Sequence, residues 1–170
     1  KKLEHFDNLK NNFFSLRENE ILYLDKKYTF ILKPELKNYF QIDEEGMKIY
    51  SGVDLLNKRL QEHWLKQEGK RVIEERISLI NKDGRFKYKK IFIRAQKTKW
   101  GNCSGRKNVS FNWRLIKAPL DVIDYLIVHE FTHLEEMNHS KAFWNKVSQI
   151  CPNYKESNKW LKKNGAGLFY

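Results

Sequence analysis

Short alternating runs of apolar and polar residues open the chain and give way to a helical rhythm further on. Residues 21–32 read as two β-branched and aromatic runs around a polar turn, and residues 39–42 with 47–50 flank Asp43-Glu44-Glu45-Gly46 as a second hairpin. Residues 1–50 are therefore predicted to be β-rich. From residue 53 to 80, Leu56, Leu60, Trp64, Ile73, Ile77 and Ile80 recur at helical spacing among many charges. This predicts one long amphipathic helix over residues 51–81, with a candidate break near Gly69.

A turn at Lys82-Asp83-Gly84 leads into an apolar run at 86–95, and Val109, Phe111, Trp113 and Leu115 then alternate with Ser110, Asn112 and Arg114. The two runs are expected to pair as a long antiparallel hairpin. Pro119 suits the first turn of a helix, which Leu120, Ile123, Leu126, Ile127, His133 and Leu134 continue. Ser140 can cap another helix through Trp144 and Val147, and a last one near 157–163 stops at Asn164-Gly165. The expected class is α+β, with an antiparallel sheet, a central helix and C-terminal helices, residues 82–170 forming the third part of what reads as one domain.

Composition narrows the class further. With 170 residues, 41% of them hydrophobic and 32% charged, the chain is long enough for one core and sits among globular proteins rather than disordered ones. It lacks the roughly 20-residue apolar stretch of a membrane span and the apolar run of a secretion signal, so the cytoplasm is the default expectation. The chain opens on Lys1 rather than methionine, which leaves room for residues upstream. Cys103 and Cys151 are too few for a disulfide framework, and buried free thiols are expected. The formal charge of +12 is uneven, because residues 82–117 hold twelve Lys or Arg against the single acid Asp83. Such a field suits an anionic partner such as a nucleotide, nucleic acid or acidic peptide, and its plainer reading is a solvated basic face.

Three of the five histidines fall between residues 129 and 139. His129-Glu130-Phe131-Thr132-His133 is the H-E-x-x-H pattern, whose four-residue offset puts both imidazoles on one helix face toward a shared ion. Glu130 points to an adjacent position, where it can take a proton from water without competing for the metal. A hydrolytic zinc ion needs a third ligand and keeps the fourth position for water. His139 has the offset of the third ligand in H-E-x-x-H-x-x-G-x-x-H, but Glu136 stands where that pattern has glycine. Ten helical residues would carry it about 15 Å along the axis, so the helix must end between residues 136 and 138. Asn138 is the candidate for a left-handed closing residue.

Further motifs accompany this one: Lys97-Thr98-Lys99-Trp100-Gly101-Asn102-Cys103-Ser104, Phe111-Asn112-Trp113-Arg114-Leu115 with Ala118-Pro119, Ile123-Asp124-Tyr125, and Asn138-His139-Ser140 with Phe143-Trp144. In this order and spacing, over about residues 90–165, the chain resembles the YgjP-like metallopeptidase-domain family. The N-terminal eighty residues resemble it only in a β-rich start followed by a helix. The resemblance implies a zincin-like α+β domain, one Zn2+ on His129, His133 and His139, and Glu130 as the catalytic residue. Asn102 departs from the serine more often found there. The family name implies peptide hydrolysis, while members are also described as nucleotide-hydrolysing enzymes.

Around this centre, the segment from Trp100 to Ser104 is a candidate cleft border offering Asn102 and Ser104 to substrate, weighed against a tight turn with Trp100 as a core plug. Asn112, Arg114 and Tyr154 are candidates for stabilising a developing oxyanion. Asp124, Glu135 and Glu136 are near enough to take the second ring proton of a ligating histidine, and as solvated acids they need no such role. Phe143 and Trp144 fit helix packing that anchors His139. The leading functional reading is a zinc-dependent hydrolase, most simply a metallopeptidase. The alternatives are a nucleotide pyrophosphohydrolase or nucleic-acid-associated protease acting on an anionic substrate, and a nucleic-acid-binding module with structural zinc.

Overall fold

The computed structural model describes residues 16–169. β1 (Glu20–Tyr23) and β2 (Lys26–Leu32) form the expected first hairpin, antiparallel through a two-residue turn in which Leu24 and Asp25 both take positive φ. The backbone N–H groups of Leu24 and Asp25 donate to the carbonyls of Ile116 and Lys117, which ties this turn to the far half of the chain. β3 (Phe40–Asp43) and β4 (Lys48–Ser51) make the second hairpin, turned where the Asp43 carboxylate accepts from Gly46 N–H. β4 then lies parallel to β2, so the first sheet is ordered β1-β2-β4-β3 and is mixed.

The long helix α1 (Lys58–Ile80) starts where Asn57 accepts from the N–H groups of Arg59 and Leu60. Its buried face is Trp64, Leu65, Gly69, Val72, Ile73 and Ile77. Leu56 and Leu60, expected on that face, are exposed at the helix start. Gly69 does not break the helix. A Cβ there would meet the Trp113 carbonyl oxygen at 2.6 Å, so the glycine is the point of closest approach between α1 and the chain after β7.

The second sheet corrects the expected hairpin. β5 (Lys90–Arg94) runs parallel to β7 (Asn108–Asn112), and β6 (Gly101–Cys103) pairs antiparallel with β7 on its other side, giving the order β5-β7-β6. Periodicity carries no strand direction, so the two apolar runs were visible in sequence while the intervening strand reversed their relation. The expected alternation through Leu115 also stops early. The Asn112 side chain accepts from Arg114 N–H and turns the backbone into a 3-10 turn, Trp113–Lys117, whose Trp113, Leu115 and Ile116 are buried.

Three helices follow: α2 (Leu120–Thr132), α3 (Lys141–Ile150) and α4 (Tyr154–Asn164), with a final 3-10 turn Gly165–Phe169. Ser140 caps α3 by accepting from Phe143 N–H, as its position predicts. α2 is buried nearly all round, from Val122 to Thr132, because the second sheet, α1, α3 and α4 all contact it. Arg76 of α1 grips Asp124 of α2 through two bonds of 2.7 and 2.6 Å. One apolar cluster runs from Ile21 and Tyr28 through Ile73 and Phe111 to Phe131, so both sheets share it with α1 and α2. Among the described residues no helix is long and apolar enough to cross a membrane. Cys103 and Cys151 are free thiols, and each is half-buried.

The tight contact at Gly69 generates a prediction. Gly to Ala inside a helix ordinarily gains about 1 kcal/mol, but here the new methyl strikes rigid backbone, an overpacking penalty of about 1–3 kcal/mol. Gly69→Ala is therefore expected to lower the midpoint of denaturant unfolding. A midpoint equal to or above the parent's would refute the close approach.

Candidate metal centre

α2 delivers His129 and Glu130 from its last turn, and His133 closes the helix. His133 keeps helical dihedrals (φ −65°, ψ −13°), and its N–H reaches the His129 carbonyl at 3.3 Å. The helix thus ends several residues before the predicted 136–138. Asn138 is not among the described residues with positive φ, so no left-handed residue closes it. The reversal is instead held by side chains: His133 Nδ1 meets the Glu136 carbonyl oxygen at 3.0 Å, and Lys146 of α3 bonds both Glu135 (2.9 Å) and Glu136 (3.1 Å).

This turn brings His139 back over the helix end. His139 Nε2 faces His129 Nε2 at 3.1 Å, and ligating atoms of His129, His133 and His139 all lie within 4.8 Å of one another. Two imidazole nitrogens on a tetrahedral zinc stand about 3.3 Å apart, given Zn–N bonds near 2.0–2.1 Å. The donor set therefore fits a small divalent ion. With Nδ1 of His133 directed at a carbonyl, Nε2 is the ring nitrogen that would remain to hold an ion. Burial, followed by the neighbouring His133 and His139, pushes His129 down to about 4, and burial with His133 lowers His139. Both rings are therefore neutral near pH 7, the form that binds a metal.

Phe143 forms the floor of the group. Its fully buried ring lies 5.0 Å from the His129 ring, 4.6 Å from His133 and 4.8 Å from His139 between centroids. Trp144 stacks on His139 at 5.6 Å, and Tyr154 stacks on Trp144 at 5.3 Å. One turn back on the same face of α2, the Tyr125 hydroxyl approaches His129 Nδ1 at 3.5 Å. Tyr125 is one helical turn before His129, an i,i+4 relation readable in the sequence but not used there.

Glu130 is 6% exposed and lies against the edge strand β6. A Cβ on Gly101 would meet its Cγ and Oε1 at 2.6 Å, so only glycine leaves room for this carboxylate. Cys103 N–H bonds the carboxylate, and Lys99 attracts it, but burial outweighs both and raises Glu130 to about 7. Sequence reasoning marked the Trp100 to Ser104 segment but missed these two backbone contacts, which no side-chain pattern announces.

Other candidates are spent elsewhere. Asn112 donates to the carbonyls of Gln96 (2.7 Å) and Lys99 (3.1 Å), and pins the loop before β6 from a fully buried position. Ser104 closes the β6–β7 turn by accepting from Asn108 N–H. Trp100 packs on Phe169 and beside Gly165, as a plug. Asn102 alternates with Gly101 and Cys103 along β6, so its side chain leaves from the face opposite Glu130. Arg114 lies over Trp113 and Phe169, in the turn before α2, while the histidines occupy the other end of that helix. Tyr154 alone of the oxyanion candidates reaches the histidine group, through Trp144. Asp124 is taken by Arg76 and the carboxylates of Glu135 and Glu136 by Lys146, so none of the three serves a histidine ring; Glu136 does so only through its backbone.

The model of the YgjP-like metallopeptidase domain matches residues 1–164. The chain belongs to this family. The match takes in the N-terminal half as well as the motifs around the histidines, and the YgjP-like family points to a metal-dependent hydrolase. No curated protein and no solved structure matches the chain.

The raised Glu130 sets a pH dependence. In the metal-free protein its folded value near 7 exceeds the ordinary 4.5. Stability from this group is intact below about 4.5, is lost as pH rises, and stays low above 7, a change of roughly 3 kcal/mol. Glu130→Gln removes the effect. Metal-free Glu130→Gln should therefore gain on the parent between pH 5 and pH 8 in thermal unfolding. An equal difference at both pH values would mean that Glu130 is not desolvated.

Proposed function

We propose that the chain is a zinc-dependent hydrolase that cleaves peptide bonds, with zinc on His129, His133 and His139. The observation that carries this reading is the buried carboxylate of Glu130, next in the chain to His129 and packed against the edge strand β6. A helix bearing H-E-x-x-H beside an edge strand is also what supports a zincin-like reading of the fold.

Bound zinc supplies a Lewis acid that polarises the scissile bond and brings a water's pKa to about 7. Glu130 takes the proton from the attacking water at a carboxylate oxygen and delivers it to the leaving amine. Burial makes this carboxylate a stronger base than an exposed one, which suits it to accept the water's proton. Cys103 N–H and the bare Cα of Gly101 keep this carboxylate oriented.

β6 also offers a way to hold an extended peptide. Trp100 carbonyl and Ser104 N–H bond β7, so the alternating backbone groups of Gly101 and Cys103 face away from it. Cys103 N–H is used by Glu130, and the remaining outward groups are free to pair with substrate backbone.

A second reading, a nucleotide pyrophosphohydrolase or a protease acting on a nucleic-acid-associated substrate, is supported by Lys99. Its charge acts on Glu130, which puts one member of the basic 82–117 segment beside the site. The third reading, structural zinc in a nucleic-acid-binding module, has less support. Structural sites are usually closed by a fourth protein ligand, and among the described residues the group contains only the three histidines.

Two variants test the proposal. Glu130→Gln should retain stoichiometric zinc and lose about 10²- to 10⁴-fold in peptide hydrolysis, while His139→Ala should weaken zinc binding in a competitive chelator titration. Unchanged zinc affinity in His139→Ala would sink the ligand set, and unchanged turnover in Glu130→Gln would sink the base. Raising salt separates the substrate classes: KM for an anionic nucleotide should rise with salt, and KM for a neutral peptide should hold steady.

A further inference from the structure

We propose that the outer face of the second sheet, together with the turn between β6 and β7, binds single-stranded nucleic acid. Val109 and Phe111 of β7 belong to the shared core, and Ile91 and Ile93 of β5 pack against it. Glu130 of α2 reaches Gly101, the register partner of Phe111, so α2 lies on this same inner side. Strand alternation turns the intervening residues outward. The register sets Lys90 beside Asn108 and lines Phe92, Ser110 and Asn102 in one row across the three strands. The face contains none of the histidines and lies on the side of the sheet away from Glu130, so the inference goes beyond the hydrolase reading and does not rest on it.

The charge gathered here has no counterpart. Among the described residues, Lys87, Lys89, Lys90, Arg106 and Lys107 are exposed and make no ion pair. The Lys89 N–H donates to the Lys107 carbonyl at 2.7 Å, so the entry to β5 and the β6–β7 turn carry their cations side by side. On the helices, by contrast, cations are matched: Lys66 with Glu62, Arg71 with Glu68, Arg76 with Asp124 and Lys146 with Glu135. Unmatched cations at close quarters repel one another, and a polyanion laid across them relieves that repulsion and releases its own counterions. Protection of an open strand edge accounts for Lys90 and Arg94 on β5. It does not account for Arg106 and Lys107, which lie off the strands.

What stands among the cations selects the occupant. Phe92 is partly exposed, and the Arg94 guanidinium lies 4.8 Å from its ring. Nucleobases stack on aromatic rings and on guanidinium planes alike. Asn102, partly exposed in the same row, carries an amide that can both donate to and accept from a base edge. A duplex hides the faces of its bases, and an acidic peptide offers no ring, so neither makes use of Phe92 and Arg94.

The test is a fluorescence anisotropy titration of the full chain with a labelled single strand of about 12 nucleotides and mixed sequence, at about 50 mM salt. A duplex of the same length and a polyglutamate of similar charge are the comparison probes. The single strand should bind saturably and at least fivefold more tightly than either, with a log–log salt slope of about −2 or steeper. Phe92→Leu should weaken binding by about fivefold or more and leave the slope unchanged, as expected for lost stacking. If circular dichroism finds that variant unfolded, Arg94→Lys, which keeps the charge and removes the plane, takes its place with the same expected loss. Lys90→Gln combined with Arg106→Gln should make the slope shallower by about 1. Lys66→Gln combined with Lys70→Gln removes equal charge from α1 and should leave it as it is. The proposal is overturned by absence of saturable binding, by equal binding of the duplex or of polyglutamate, or by full affinity in the folded stacking variant. It is also overturned if both charge variants change the slope equally, or if His139→Ala abolishes binding. Zinc affinity and peptide hydrolysis are scored separately, so failure here leaves the hydrolase reading standing, and the reverse holds too.

Discussion

His133 has two tasks, and the arrangement of the site follows from their combination. It is the residue at which α2 stops, and it contributes the middle imidazole of the group. Its ring nitrogen bonds the carbonyl of Glu136, so the side chain that joins the histidine group also fixes the backbone that reverses direction. Without that reversal His139 would travel on along the helix axis, far from His129. Lys146 holds the same short segment from α3 through Glu135 and Glu136. The helix end, the third histidine and the docking of α3 are consequently one problem with one solution, and Phe143 fills the space that solution encloses.

The adjacent face of α2 is governed by closeness rather than by turning. A buried carboxylate at Glu130 is tolerated because Gly101 has no side chain to displace it and because Cys103 lends a backbone donor. The polar group is thus paired with the edge of a sheet, whose outward N–H needs an acceptor. Asn112 holds the loop before that strand by bonding Gln96 and Lys99, so a residue remote from the chemistry determines where Gly101 lies. The chain of support runs from β7 to the loop, from the loop to β6, and from β6 to Glu130.

Much of this was legible in the residue pattern because it depends on local period. The four-residue step from His129 to His133, the cap at Ser140 and the stripe on α1 from Trp64 to Ile77 are properties of helices alone. What escaped depended on contacts between distant parts. The direction of β5 relative to β7 hides in periodicity, which is identical for parallel and antiparallel pairing. Asn112, Ser104 and Arg114 have side chains able to serve chemistry, and only tertiary contacts reveal that two of them close loops while the third lies over Trp113 and Phe169. Asn138 was expected to end the helix by backbone conformation, whereas a side-chain bond from His133 does so.

The three imidazoles are unequal in one further respect. His129 and His133 are partly shielded by α2 and Phe143, while His139 is exposed and leans on Trp144. For an ion held by this group, the outer arm is the one that competing chelators meet first. Exchange would then proceed by release of His139 while the helical pair keeps its grip, and the lifetime of the ion would be governed by how firmly the Trp144 and Tyr154 stack holds that arm in place.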